Sequence, residues 1–152
     1  MELEFMRQKD FYYAILSEKI AYAEIDMESR RIFDAGGLWS TYVDHDKDYE
    51  QILLQHKDQL VHPEDAQSYA QFISEKTMRE IMSRQKDTGS LQFRRLIDGK
   101  MRWVELTGHV FQDRVTGNVY SLLYMQDIDA QKRREMQQAI AATRDPLTTV
   151  FN

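Results

Sequence analysis

Three acidic residues at alternate positions, Asp44, Asp46 and Asp48, have a spacing that could bind a metal ion. Carboxylates with this spacing begin a calcium-binding EF-hand loop, which also needs glycine at its sixth position and glutamate at its twelfth. Counted from Asp44, those positions hold Tyr49 and Gln55. We therefore interpret this stretch as a solvated acidic turn, and the sequence predicts no calcium site there.

The other side chains that could do chemistry are few. The histidines lie at positions 45, 56, 62 and 109, without the spacing of metal ligands. The sequence contains no cysteine, which excludes disulfides, thiolate nucleophiles and cysteine-based zinc sites. It also lacks a nucleophile–base spacing and a phosphate-binding glycine loop. We therefore predict neither a catalytic site nor a metal site, and we expect His62 to cap or precede the helix that begins at Pro63.

The composition is that of a globular domain. With 152 residues, of which 42% are hydrophobic, the chain can bury the core of one domain. The net charge is −5, the acids are concentrated in the first 65 residues, and no basic stripe is present, so no nucleic-acid partner is expected. No apolar run approaches the roughly 20 residues of a membrane span, and the N-terminus is not a signal peptide. The prediction is a cytoplasmic domain without a membrane segment.

The N-terminal part of the chain predicts one helix and two strands. Residues 1–19 contain neither glycine nor proline and place apolar side chains at near-helical spacing. The stretch IAYAEIDM alternates between apolar and polar residues and predicts a strand, and ESRRIF predicts a second strand in a hairpin with it. The next stretch, AGGLWSTYVDHDKD, has the composition of a loop.

The rest of the chain predicts helices, three strands and a last helix. Residues 47–60 and 63–82 read as helices, the second with Pro63 at its first position. SLQFRRLI, MRWVELTGHVF and NVYSLLYMQDI are separated by the turns DGK and QDRVTG, which predicts an antiparallel meander. Residues 130–144 are polar and helical. The order indicates an α+β fold, a five-stranded antiparallel sheet with helices on one face.

Three short sequence motifs, which follow one another along the chain, resemble motifs of the PAS family of sensory domains. HPEDA (62–66) resembles the H-P-x-D turn that opens the central helices of many PAS sequences. QFRRLIDGKMRWVE (92–105) resembles their paired strands, and MQDIDAQKRRE (125–135) resembles the D-I-T-x-x-K exit into a signalling helix. Asp129 stands where the family usually has threonine. The resemblance covers residues 20–135 and implies a PAS-3-like fold, flanked by an N-terminal helix and a C-terminal signalling helix.

The last eight residues, DPLTTVFN, resemble D-P-L-T-G-L-Y-N, the phrase that opens the GGDEF domain of diguanylate cyclases. The resemblance implies four segments: an N-terminal helix (1–19), a PAS domain (20–129), a signalling helix (130–144) and the start of a GGDEF domain (145–152). The one double glycine, Gly36-Gly37, is not followed by the Asp-Glu-Phe of a cyclase active site. This chain is therefore expected to be a sensory fragment and not the enzyme.

Alternation along the strands predicts the inward face of the sheet. Small residues beside larger ones on that face leave space that either the helix bearing Phe72 or a small-molecule ligand must fill. The candidate ligand-binding residues are Ala23, Ile25, Phe72, Val104, Leu106, Leu123 and Met125. A filled core and a ligand pocket remain two alternatives.

The resemblance implies a bacterial sensory and dimerisation domain that regulates a GGDEF cyclase in the same chain. The residues expected to transfer the signal are Asp127, Ile128, Asp145, Leu147 and Thr148. Asp127 is expected to pair with one of three arginines, Arg94, Arg95 or Arg102. The opposite sheet face is also apolar, which predicts a homodimer through this face and the N-terminal helix; its residues are Tyr22, Trp103, Phe111, Leu122 and Tyr124.

The sequence does not identify a cofactor. Photoactive PAS domains attach flavin or coumaroyl groups through cysteine, and the absence of cysteine excludes those adducts. Residues 66–84 lack the axial histidine common in haem-binding PAS domains, so no haem is expected, although Met78 and Met82 are conceivable ligands. Two other functions stay open: a protein-interaction module with a solid core, and a small α+β carrier or enzyme.

Overall fold

The computed structural model of the protein describes residues 14–84 and 88–143. Its strands are β1 (Ala21–Asp26), β2 (Arg31–Gly37), β3 (Thr88–Ile97), β4 (Lys100–Gln112) and β5 (Val119–Asp127). Its helices are α1 (Tyr49–Leu54), α2 (Lys57–Leu60), α3 (Ala66–Ile73), α4 (Glu75–Ser83) and α5 (Asp129–Thr143). Residues 14–16 are helical as well, but most of the predicted N-terminal helix lies outside the described residues.

The strands form one antiparallel sheet in the order β2-β1-β5-β4-β3. The central pairing of β1 with β5 joins the first hairpin to the C-terminal meander, so strands far apart in sequence lie side by side. Strands β3 and β4 are joined by a two-residue turn in which Asp98 and Gly99 both have positive φ. Aspartate and glycine tolerate this conformation, as the predicted DGK turn requires.

One face of the sheet packs against the helices and forms the core. The residues predicted to point inward from β1, β4 and β5 are buried, because alternate side chains of a strand share a face; they include Ala23, Ile25, Val104, Leu106, Leu123 and Met125, each 0% exposed. The core continues into the helices through Ile52, Tyr69, Ile73 and Met78. The predicted inward face is therefore confirmed.

The helical region is more divided than the sequence predicts. The expected helix 47–60 is interrupted at Gln55 and His56, and the expected helix 63–82 is interrupted at Ser74. Ser74 has extended backbone angles, and its Oγ accepts a hydrogen bond from the amide of Thr77, so it caps α4. The second prediction also placed the helix start too early, since Pro63 lies in a turn and α3 begins at Ala66.

Strand β2 is longer and starts later than predicted. It runs to Gly37, through residues that the composition favoured as a loop. Tyr22 of β1 lies against Gly36, where an added Cβ would come within 2.3 Å of the ring. The glycine therefore admits close cross-strand packing of an aromatic ring, which its loop-like composition concealed.

Candidate functional site

The inner face of the sheet was the predicted ligand pocket, and the structure shows how its space is used. A Cβ added at Gly108 would lie 3.2 Å from Leu123 and 3.4 Å from the Met78 methyl group. Met78 of α4 thus occupies the space above the small strand residues. Phe72 is partly buried against the core and lies near Gly89, which pairs with Gly108 across β3 and β4. In the described residues this face is packed by side chains, and its role in ligand binding stays a prediction.

The described residues form two depressions, one on the surface and one between the sheet and the helices. One is an open surface groove of about 550 Å³ along α4, lined by charged and polar side chains such as Glu75 and Arg79. The other is a cavity of about 10 Å³ between β3 and the helices α1–α3, lined by residues that include Arg95, Tyr69 and Trp39. The second cavity has room for about one water molecule.

The exit from β5 into α5 is held by charged groups. The Arg102 guanidinium donates from Nε to Oδ2 of Asp127 at 2.6 Å, so Arg102 is the partner among the three arginines predicted for Asp127. Oδ1 of Asp127 accepts a hydrogen bond from the amide of Asp129 at 2.9 Å. Ile128 continues this connection, because its amide donates to the carbonyl of Trp103. The other predicted signal-transfer residues, Asp145, Leu147 and Thr148, lie outside the described residues.

Asp129, at the threonine position of the family pattern, makes the second attachment. Its carboxylate is buried and accepts hydrogen bonds from the Trp103 amide at 3.1 Å and from Arg133 Nε at 2.7 Å. The backbone hydrogen bond and the Arg133 guanidinium lower the pKa of Asp129 below its usual value. The carboxylate therefore bonds to the neighbouring strand β4 and to the first turns of α5 at the same time.

The Trp103 ring contacts two cations. Arg94 of β3 places its Cζ 5.1 Å from the ring centroid, and Lys132 of α5 places its Nζ 4.9 Å from the same ring. Such cation–π contacts attract because the faces of an aromatic ring carry negative potential. Trp103 thus contacts α5 through its side chain as well as through its amide.

Arg94 continues these contacts to the start of α3. Asp65 Oδ2 accepts from the Arg94 amide at 2.8 Å and from its Nε at 2.9 Å, while Glu64 accepts from Nη2 at 3.0 Å. The Arg94 guanidinium holds the pKa of Asp65 below its usual value. His62, predicted to cap or precede the helix, lies before it: its Nδ1 accepts from the Glu64 amide at 3.1 Å in the turn that precedes α3, whose N-cap is Asp65. The HPEDA turn is therefore fixed to the edge strand, beside the route to α5.

A second charged group was not found from the sequence. Arg30 has a positive φ in the β1–β2 turn, and its guanidinium contacts Asp48, Glu50 and Glu75. Asp48 is also the N-cap of α1, where its carboxylate accepts from the Glu50 amide. One signal was present in the sequence, since aspartate is a favoured N-cap residue. In the described residues no group of histidines and acids is placed to hold a metal ion.

The outer sheet face is covered at one end and open at the other. At the covered end, Lys19 lies 5.3 Å from the Tyr124 ring, and the nearby Leu16 is buried. At the open end, the Tyr120 ring contacts the rings of Phe33 and Phe111, which are 40% and 39% exposed. We call these three residues the aromatic patch. Of the predicted outer-face residues, Leu122 is buried, whereas Tyr22, Trp103 and Tyr124 are half-buried. Within the described ranges, no helix is both long and apolar enough to cross a membrane.

The comparisons with known proteins give structural similarities only. No protein-family model matches the sequence, and no curated protein matches it either. A light-oxygen-voltage domain studied with a flavin analogue is similar with a TM-score of 0.51 and 12% identity, over 88% of this chain and 96% of that one. The PAS domain of BvgS from Bordetella pertussis gives a TM-score of 0.49 and 17% identity, over 93% and 98% of the two chains. The N-terminal domain of a diguanylate cyclase with a PAS/PAC sensor from Marinobacter aquaeolei gives a TM-score of 0.47 and 16% identity, over 74% of this chain and 97% of that one.

The chain has the PAS fold. Its five-stranded antiparallel sheet, with four helices inserted between β2 and β3, is the architecture that the sequence predicts. The light-oxygen-voltage domain shares it at 12% identity, a level at which the similarity establishes the fold alone. The predicted fold class is confirmed.

Proposed function

We propose that this chain is the sensory and dimerisation domain of a bacterial signalling protein and regulates a GGDEF-type diguanylate cyclase that follows α5. The domain itself performs no catalysis in this proposal. The observation that carries it is the attachment of α5 to the sheet through Asp127 and Asp129, because a helix held in this way moves with the strands. The phrase DPLTTVFN, which resembles the opening of GGDEF domains, supports the type of output.

The packed inner face supports one particular way of signalling. Because Met78 fills the space above Gly108, a change there requires side chains to repack, and a core at close packing transmits such strain. The exposed aromatic patch supports a dimer, since exposed aromatic clusters are typical of contact surfaces. A protein-interaction module that signals by a change in dimer geometry is therefore the second candidate.

The test uses the complete reading frame that contains this chain. Its purified product should convert GTP to cyclic di-GMP, and the rate should change in the charge reversals Asp127→Arg and Arg102→Asp, which each break the pair. The double reversal should return the rate toward wild type, because it restores opposite charges. Arg114→Glu, in the exposed β4–β5 turn, is the matched charge reversal and should leave the rate unchanged.

Two results would contradict the proposal. A product that makes no cyclic di-GMP under any condition would remove the proposed output. Normal rates in both single reversals would show that the Asp127–Arg102 pair has no part in transfer.

A further inference from the structure

Arg95 is an unusual residue for the inner side of a β-strand. It is 8% exposed, and its neighbours on the same face include the fully buried Phe93. Its Nε donates to the carbonyl of Leu96 at 3.0 Å. Among the described residues, no carboxylate lies within ion-pair distance of its guanidinium. By contrast, Arg30, Arg94 and Arg102 each bond to at least one carboxylate.

The environment of Arg95 disfavours an isolated cation. Burial lowers the pKa of the Arg95 guanidinium from its ordinary value, although an arginine in a protein keeps its charge at neutral pH. A buried charge without a partner is costly, and a bound anion removes that cost. In the described residues no hydrogen bond engages the Nη nitrogens, and they are not fully buried, so they can donate to an anion that approaches from solvent.

The small cavity lies against this guanidinium. Its lining contains aromatic and aliphatic side chains and no acidic residue. The lining residues with solvent exposure include His56 and Lys57, so the rim adds an imidazole and an ammonium group. The rim lysine is weakly engaged, since its Nζ lies 3.9 Å from Asp58, whose side chain is 87% exposed.

We propose that the cavity at Arg95 binds a small monocarboxylate. A carboxylate oxygen accepts a charge-assisted hydrogen bond from the guanidinium and balances its single charge. The volume of about 10 Å³ admits one oxygen beside the guanidinium, so the rest of a short ligand lies toward His56 and Lys57. Tyr42 and Leu60, which line the cavity and are partly exposed, supply apolar contacts for its carbon atoms. The proposal concerns binding by this chain alone and does not depend on an output domain.

The test compares acetate with its uncharged analogue acetamide. Sodium acetate replaces sodium chloride mole for mole, which keeps the ionic strength constant, and the melting temperature is followed together with the heat of binding. The melting temperature of the wild type should rise saturably with acetate and should not rise with acetamide. In Arg95→Met, which approximates the aliphatic stem of the side chain and removes its charged guanidinium, the affinity should fall at least tenfold. Arg114→Met, an exposed arginine in the β4–β5 turn, should bind as the wild type does.

A second measurement reads the cavity directly and does not require the Arg95 variant to fold. The sequence has 2 tryptophans, so Trp103→Phe leaves Trp39, which lines the cavity, as the only fluorophore of its kind. Its emission should change saturably with acetate. An unchanged emission and melting temperature when acetate replaces chloride would overturn the proposal. Equal binding of acetate by wild type and Arg95→Met would overturn it as well.

Discussion

At the scale of single residues, Asp129 carries the attachment of α5. Replacing it with alanine leaves the Trp103 amide without its acceptor and Arg133 without its partner. A buried hydrogen bond to a charged group contributes roughly 1.5–3 kcal/mol, so Asp129→Ala should lower the free energy of unfolding by about 1–3 kcal/mol in urea. Glu135→Ala, which removes an exposed acid of the same helix, should change it by less than about 0.5 kcal/mol. Equal effects of the two variants would contradict this assignment.

The same carboxylates predict how stability depends on pH. The pKa values of Asp129 and Asp65 are lowered in the folded protein, by the Trp103 amide with Arg133 and by Arg94 respectively. An aspartate with a lowered pKa stabilises the fold above its unfolded value of about 3.9, and that contribution is lost as the pH falls through the folded pKa. The unfolding free energy should be steady above about pH 5 and fall below about pH 4. In the double variant Asp65→Asn with Asp129→Asn, the unfolding free energy should fall less between pH 5 and pH 3 than it does in the wild type. Urea unfolding at each pH measures this fall.

The sequence singled out Asp127 and Asp129, but it predicted only part of their hydrogen bonding. The pairing of Asp127 with an arginine was predictable, because charged residues on adjacent strands commonly pair. The selection of Arg102 was not, because it depends on the register of β4 against β5. Asp129 replaces a threonine hydroxyl with a carboxylate, and its acceptor role became visible only once the Trp103 amide was placed beside it. The isolation of Arg95 likewise depends on which carboxylates the fold brings near.

At the scale of elements, Met78 joins α4 to the sheet. It is 1% exposed and fills the space above Gly108. Met78→Ala should therefore open a cavity and lower the free energy of unfolding by about 2–5 kcal/mol. Met101→Ala is the matched control, because Met101 is 40% exposed on β4 and should cost less than about 1 kcal/mol. Similar losses in urea unfolding would show that this part of the core is loosely packed.

Some helices and strands were predicted correctly and others were not, and the difference has physical reasons. The meander was predicted from strand periodicity and the Asp-Gly turn, because both are local properties of the sequence. The division of the helices was missed because Ser74 is tolerated inside a helix, and its use as a cap depends on tertiary packing. The end of β2 was missed because Gly36 is loop-forming in isolation but fits under Tyr22 in the sheet.

At the scale of the whole molecule, the aromatic patch predicts the mode of self-association. If the domain dimerises through this face, Phe111→Arg places a charge in the contact and should convert the dimer to a monomer. Val115→Arg, at a position 66% exposed in the neighbouring turn, should remain dimeric. Light scattering at several concentrations measures both masses. A wild-type protein that is monomeric throughout would contradict the dimer.

The central claim is that the sheet and α5 behave as one mechanical unit, and amide hydrogen exchange tests it most directly. In Asp129→Ala, exchange at the Trp103 amide and in the first turn of α5 should accelerate together by about tenfold or more, while the interior strand β1 stays protected. Acceleration at Trp103 with no change in α5, or no change at either place, would contradict the claim.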